Sequence, residues 1–185
     1  MKLVHYSFKP IDRLVNFSSE HQPDGVEYLT SCEVDGVKLG FGAYKPAGLW
    51  VSVIGPHDWK SWCVGEEFRD VDRQIAYEVT LKPDANVLHI ASVYEMDDFH
   101  ERFCVETPIK GFSWPRVSLN WKAAAAQYDG LVIAPYLWPR RLEGAASNWY
   151  YGWDCASGVL WNAEAVVQSI RLIARPADRY FTGTV

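Results

Sequence analysis

The chain is 185 residues long, which suits one domain able to bury about two-thirds of the surface its unfolded form exposes. Charged residues make up an ordinary 22%, whereas the aromatic share of 15%, with nine tryptophans, is high and leaves a surplus of large flat side chains. A net charge of −5 excludes a protein that grips duplex nucleic acid mainly through phosphate contacts, since that mode needs a cationic surface; only a local basic patch is left open.

In chain order, LVHYSF, closed by Lys9-Pro10, suits a first strand. Ile11, Leu14, Val15 and Phe17 follow at near-helical spacing, with Asp12 where a helix N-terminus favours a carboxylate. The polar segment to Gly25 reads as loop, and Val26 to Phe41 alternates around the turn signal Asp35-Gly36, the pattern of a hairpin. KPAGLWVSVI is an apolar strand entered through Pro46 and Gly48, and HDWKSWCVGEEF is helical with Asp58 near its start. QIAYEVTLKPDANVLHIAS divides into two strands about Lys82-Pro83-Asp84. EMDDFHERFC forms a further helix, and SLNWKAAAAQ another, because consecutive alanines favour helix over any alternative. YDGLVIAPY is a buried-type strand, LWPRRLEG a charged loop, and SGVLWN with AVVQSIRLIA the last strands. Roughly seven or eight short strands with roughly three helices between them, and no repeat, low-complexity tract or linker, predict a single α+β domain of mostly antiparallel sheet over the whole chain.

Cys32, Cys63, Cys104 and Cys155 form no C-x-x-C pair, and no histidine stands at ligand spacing from another, so no metal site is expected. MKLVHYSFKP carries His5 and Lys9 where a signal peptide needs an unbroken apolar core, and no run approaches a membrane span. The expectation is a cytoplasmic protein with reduced thiols and no membrane partner.

Three segments place polar groups where an anonymous core strand needs none. In LVHYSF, His5 is flanked by Leu3, Val4, Tyr6 and Phe8, and a buried imidazole there must find partners for its ring nitrogens; a satisfied core histidine is the ordinary reading. In GLWVS, Gly48 allows close approach of a ligand or another strand, while Trp50 and Ser52 share one sheet face, which a core indole and an edge hydroxyl would equally explain. NWYYGWDCASGVLWNA sets Asp154 and Cys155 inside the densest aromatic stretch of the chain. Cys155 raises a thiol nucleophile paired with a histidine brought close by the fold, but its nearest histidine in sequence is His100 and a buried free thiol is the commoner case. Trp138, Arg140 and Arg141 join an aromatic to two cations that would suit phosphates or stacked bases of a macromolecular target, with a charged surface loop as the plainer explanation.

The order of these segments resembles the ADP-ribosyltransferase superfamily, in the branch whose triad is a histidine, an aromatic residue and an acid. His5 in LVHYSF matches that family's first-strand histidine, and Trp50 in KPAGLWVS stands at the position usually held by tyrosine. YDGLVI resembles the strand that often precedes the last, and SGVLWNAEAVVQSI looks like the final E-x-V-V-F-D-x-x-Q-I strand pair. The resemblance spans most of the chain through short, degenerate motifs. It departs from the family at Trp50 and at Ser157, which occupies the position of the catalytic glutamate, the nearest acid being Asp154 just upstream.

The resemblance implies two packed, mostly antiparallel sheets with inserted helices and NAD as substrate in a cleft between them. It implies catalytic roles for His5, Trp50 and Asp154, NAD contacts from His5, Tyr6, Gly48, Trp50, Ser52 and Ser157, and a macromolecular acceptor met by Trp138, Arg140 and Arg141. The activity implied is cleavage of the nicotinamide-ribose bond, with ADP-ribose passing to an unknown acceptor or to water. A histidine then bonds ribose hydroxyls, an aromatic ring stacks on nicotinamide, and a carboxylate stabilises a cationic sugar, more strongly where tryptophans exclude water. Either a bend at Ala156-Ser157-Gly158 brings Asp154 to the site, or the acid role is lost and the fold serves as a non-enzymatic nucleotide- or protein-binding module. A third reading has Asp154 cap a turn while the aromatics fill a core.

Overall fold

Short runs of β-branched and aromatic residues broken by turn residues build most of this chain, and the computed structural model describes residues 1–11, 31–34, 37–40, 46, 48–107, 116–142 and 148–176. The first half holds β1 (Leu3–Ser7), β2 (Ser31–Val34), β3 (Val37–Gly40), β4 (Leu49–Val53), α1 (Trp59–Gly65), β5 (Ile75–Leu81) and β6 (Val87–Ile90). The second holds α2 (Val93–Phe103), β7 (Cys104–Thr107), β8 (Arg116–Leu119), α3 (Trp121–Ala125), β9 (Gly130–Ile133), α4 (Trp138–Arg141), β10 (Ser157–Leu160), α5 (Ala163–Val166) and β11 (Val167–Ala174).

Seven strands form one sheet in the order β11-β5-β1-β4-β10-β9-β6, antiparallel throughout except for the parallel pair β6 and β9. The hairpin expected around Asp35-Gly36 forms as the ladder β2-β3, and β7-β8 is a second ladder. The architecture is α+β. A second large sheet, as the resemblance implies, is not among the described residues, whose remaining strands are these two ladders. Most of the near-helical spacing from Ile11 to Phe17, and the loop to Gly25, lie outside the described residues.

Helix starts follow local capping chemistry. Asp58 Oδ1 accepts from the Ser61 amide at 2.8 Å, and Asn120 Oδ1 accepts from the Ala123 amide at 3.0 Å, so α1 and α3 each begin on a side-chain acceptor. Ser92 and Glu95 form a capping box at the start of α2, with Ser92 Oγ accepting from the Glu95 amide at 3.3 Å. Two expectations are corrected. LWPRRLEG is not wholly loop, because Pro139 in the first turn fits a helix start and α4 forms there. The strands β10 and β11 do not lie together: β4, β1 and β5 stand between them, since β11 pairs with β5 at the sheet edge.

One sheet face carries Leu3, Val51, Val79, Leu160 and Val167, packed with Ala163 and Val166 of α5. The other carries Leu131, Ile133 and Val159 and packs on Phe99 and Phe103 of α2, Trp121 of α3, and Trp149, Tyr150, Trp153 and Trp161. The dense aromatic stretch is therefore mainly core. Two of its indole N–H groups are tied off, Trp161 Nε1 donating to the Tyr128 carbonyl at 2.6 Å and Trp149 Nε1 to His100 Nδ1 at 3.1 Å, while Trp153 Nε1 is buried without a hydrogen-bond partner. No helix among the described residues is long and apolar enough to cross a membrane.

Candidate ligand site

The site begins at a division in the sheet. β1 and β4 pair only at Leu3↔Val53 and Val4↔Ser52, yet β1 stays with β5 as far as Ser7, and β4 stays with β10 back to Leu49. Each strand keeps its outer partner while the two part from one another. Across this opening His5 Nδ1 lies 2.6 Å from the Trp50 carbonyl. A carbonyl only accepts, so Nδ1 carries the proton. Burial lowers the His5 pKa from its ordinary value, with the bond to Trp50 opposing, and the ring is held neutral with Nε2 left as an acceptor.

A cavity of about 270 Å³ opens here. β1 contributes Val4, His5 and Tyr6, and β4 contributes Trp50, Val51 and Ser52. Ser157 enters from β10, Trp59 from the start of α1, and Arg69 and Gln74 from the segment leading into β5. The register row Val4↔Ser52↔Ser157 sets these residues side by side on the face that Trp50 shares. Ser52 Oγ accepts from the Trp59 amide at 2.9 Å, which fastens the start of α1 to β4. Ser157 Oγ donates to the Cys155 carbonyl at 3.0 Å.

Trp50 Nε1 donates to the Pro46 carbonyl at 3.2 Å, and its ring meets Trp153 edge-on with centroids 4.8 Å apart. Burial, then the charge of Asp58, raises the Tyr6 pKa, so its phenol stays protonated. The Arg69 guanidinium lies 4.7 Å from the Phe68 ring and 5.9 Å from the Phe8 ring, holding a cation at the cavity between two aromatics. Gln74 is only 5% exposed, and its Oε1 has no hydrogen-bond partner.

Of the residues the resemblance marks for NAD, the fold brings His5, Tyr6, Trp50, Ser52 and Ser157 to one cavity. It does not bring Gly48, where an added Cβ would lie 2.5 Å from Val159 Cγ2 and 3.0 Å from the Leu160 carbonyl oxygen; this glycine is spent on close packing against β10. Asp154 is likewise not among the described lining residues, none of which is acidic. Its carboxylate stands 3.5 Å from Arg141 Nη2, within an aromatic stretch of which Trp149, Tyr150, Trp153 and Trp161 belong to the core.

Arg141 also donates to the Tyr136 hydroxyl at 2.7 Å, and Arg140 makes two bonds of 2.6 Å to Asp97, so both guanidinium groups are engaged within the chain. Trp138 is 52% exposed. Cys155 is a buried free thiol. Sequence reading missed Trp59, Arg69 and Gln74. Trp59 was legible as a helix-start aromatic but not as a lining residue, and Arg69 and Gln74 carry no local signal, because only the course of the chain from α1 to β5 turns them inward. Among the described residues no group of three or more His, Cys, Asp or Glu is placed to hold a metal ion. No protein-family model, curated protein or solved structure matches this chain.

Proposed function

We propose that the chain is an ADP-ribosyltransferase-like protein whose cavity takes the nicotinamide riboside end of NAD and promotes loss of nicotinamide, passing ADP-ribose to an acceptor or to water. The observation that carries this reading is that five residues marked by the resemblance, from three separate strands, line one cavity where β1 and β4 part. At about 270 Å³ the cavity lies just below the usual range for drug-sized ligands, so it takes one heteroaromatic ring and a sugar while the remainder of a dinucleotide lies outside. Trp50, Trp59 and Tyr6 offer aromatic surface for the ring, neutral His5 offers Nε2 to a ribose hydroxyl, and Arg69 favours a phosphate. Loss of nicotinamide leaves positive charge on the ribose, which a carboxylate would stabilise. Asp154 is the acid assigned to this role, acting from beside Trp153 rather than from the cavity wall.

The family's second sheet belongs to this reading and would have to draw on β2-β3 or β7-β8. Trp138, being exposed, is the member of the Trp138, Arg140 and Arg141 group best placed to meet an acceptor. The free thiols Cys63, Cys104 and Cys155 fit a reducing compartment such as the cytoplasm. A second reading, a nucleotide-binding module without chemistry, is favoured by the lack of a carboxylate among the described lining residues. Measuring nicotinamide release by chromatography alongside NAD binding by calorimetry separates the two. Release selects the enzyme, saturable binding without release selects the module, and the absence of both release and binding removes the NAD reading.

A further inference from the structure

We infer that Gln74 is a specificity-determining residue of this cavity, its Oε1 accepting a hydrogen bond from an N–H on the ligand's heteroaromatic end. This rests on the NAD reading, in which that donor is the carboxamide of nicotinamide. Gln74 follows the 3-10 turn Val71–Arg73, and its own amide donates to the Val71 carbonyl at 2.9 Å, fixing the backbone where the chain enters β5. Its side chain lines the cavity, is 5% exposed, and leaves Oε1 without a hydrogen-bond partner.

A buried amide oxygen without a donor is destabilising, and native chains rarely keep one without a use for it. The neighbouring hydroxyls do not satisfy it. Ser157 Oγ donates to the Cys155 carbonyl instead, and Ser52 Oγ, which accepts from the Trp59 amide, does not donate to Oε1. The surrounding Tyr6, Trp50 and Trp59 favour a flat ring, and a ring bearing an exocyclic N–H presents its donor at the ring edge. A site built to hydrogen-bond a substrate N–H rejects the analogue that lacks it far more strongly than an apolar pocket rejects a missing methylene.

The test compares NAD with its 3-acetylpyridine analogue, in which a methyl group replaces the amide nitrogen, by calorimetry on the wild-type chain and on Gln74→Leu. The expected result is that the wild type prefers NAD about tenfold. In Gln74→Leu the preference collapses and NAD binds about tenfold more weakly, while the ligand-free variant melts at the wild-type temperature or above, because an unsatisfied oxygen has been removed. Equal affinity of the wild type for the two dinucleotides, or a preference that survives in Gln74→Leu, overturns the role of Gln74 while leaving NAD binding intact. Failure of the wild type to bind either dinucleotide overturns the NAD reading, and this assignment with it. If Gln74→Leu does not fold, Gln74→Met, which keeps the length of the side chain and lacks the amide oxygen, is titrated in its place, with the same result expected and the same result overturning the role.

Discussion

His5 is a neutral imidazole whose Nδ1 proton is held by the Trp50 carbonyl, and this has a measurable consequence. Its folded pKa lies below the ordinary 6.5, so below that pH the unfolded state binds more protons than the folded one. Stability from this group is therefore fully present above about 6.5 and is lost as pH falls through the window between that value and the depressed folded pKa, with a slope of at most about 1.4 kcal/mol per pH unit. His100, lowered chiefly by burial, adds a term of the same sign. Urea unfolding from pH 7.5 to 5 should show this decline, and His5→Asn, which keeps an N–H donor but does not titrate, should flatten it. An unchanged slope in His5→Asn would remove His5 as a source.

Asp154→Asn keeps shape but removes charge. If Asp154 stabilises a cationic ribose, nicotinamide release should fall on the order of 10²-fold with NAD affinity little changed; release at the wild-type rate, or unfolding, would return Asp154 to the scaffold. The sequence made His5, Trp50 and Ser52 legible because a polar or aromatic group in a short strand has a predictable facing. It did not make the place of Asp154 legible, because its side chain turns on Arg141, a long-range neighbour brought up by α4.

At the scale of elements, α1 is fixed at its first turn by Asp58 and by the bond from the Trp59 amide to Ser52. Asp58→Ala should cost on the order of 1 kcal/mol of stability by chemical denaturation, and because Trp59 lines the cavity it should also weaken ligand binding. A normal stability would show that the cap contributes little. Gly158 marks another tight contact, where an added Cβ would lie 2.7 Å from the Leu131 carbonyl oxygen and 2.6 Å from Val132 Cγ2. Gly158→Ala should therefore destabilise by roughly 1–3 kcal/mol, checked by the same unfolding curves. Individual strands and helices could be read from the chain because their causes are local: alternation in the strands, Asp58 near the start of α1, and the run of alanines in α3. The separation of β10 from β11 and the opening between β1 and β4 could not, because pairing partners across the sheet are set by contacts far apart in sequence.

At the scale of the whole molecule, the sheet order gathers β1, β4 and β10 into consecutive positions and leaves a cavity where two of them part, next to an aromatic core. The surplus of aromatics noted in the composition divides between these two uses: Trp149, Trp153 and Trp161 are buried core, while Trp50 and Trp59 line the cavity. Composition alone could not apportion them, since one face of one sheet supplies both environments. The most direct test is calorimetric titration of the wild-type chain with NAD, with tryptophan fluorescence followed in parallel. A saturable heat, accompanied by quenching that is lost in Trp50→Ala, is the expected result; no saturable heat with NAD would contradict the assignment of this cavity to that ligand.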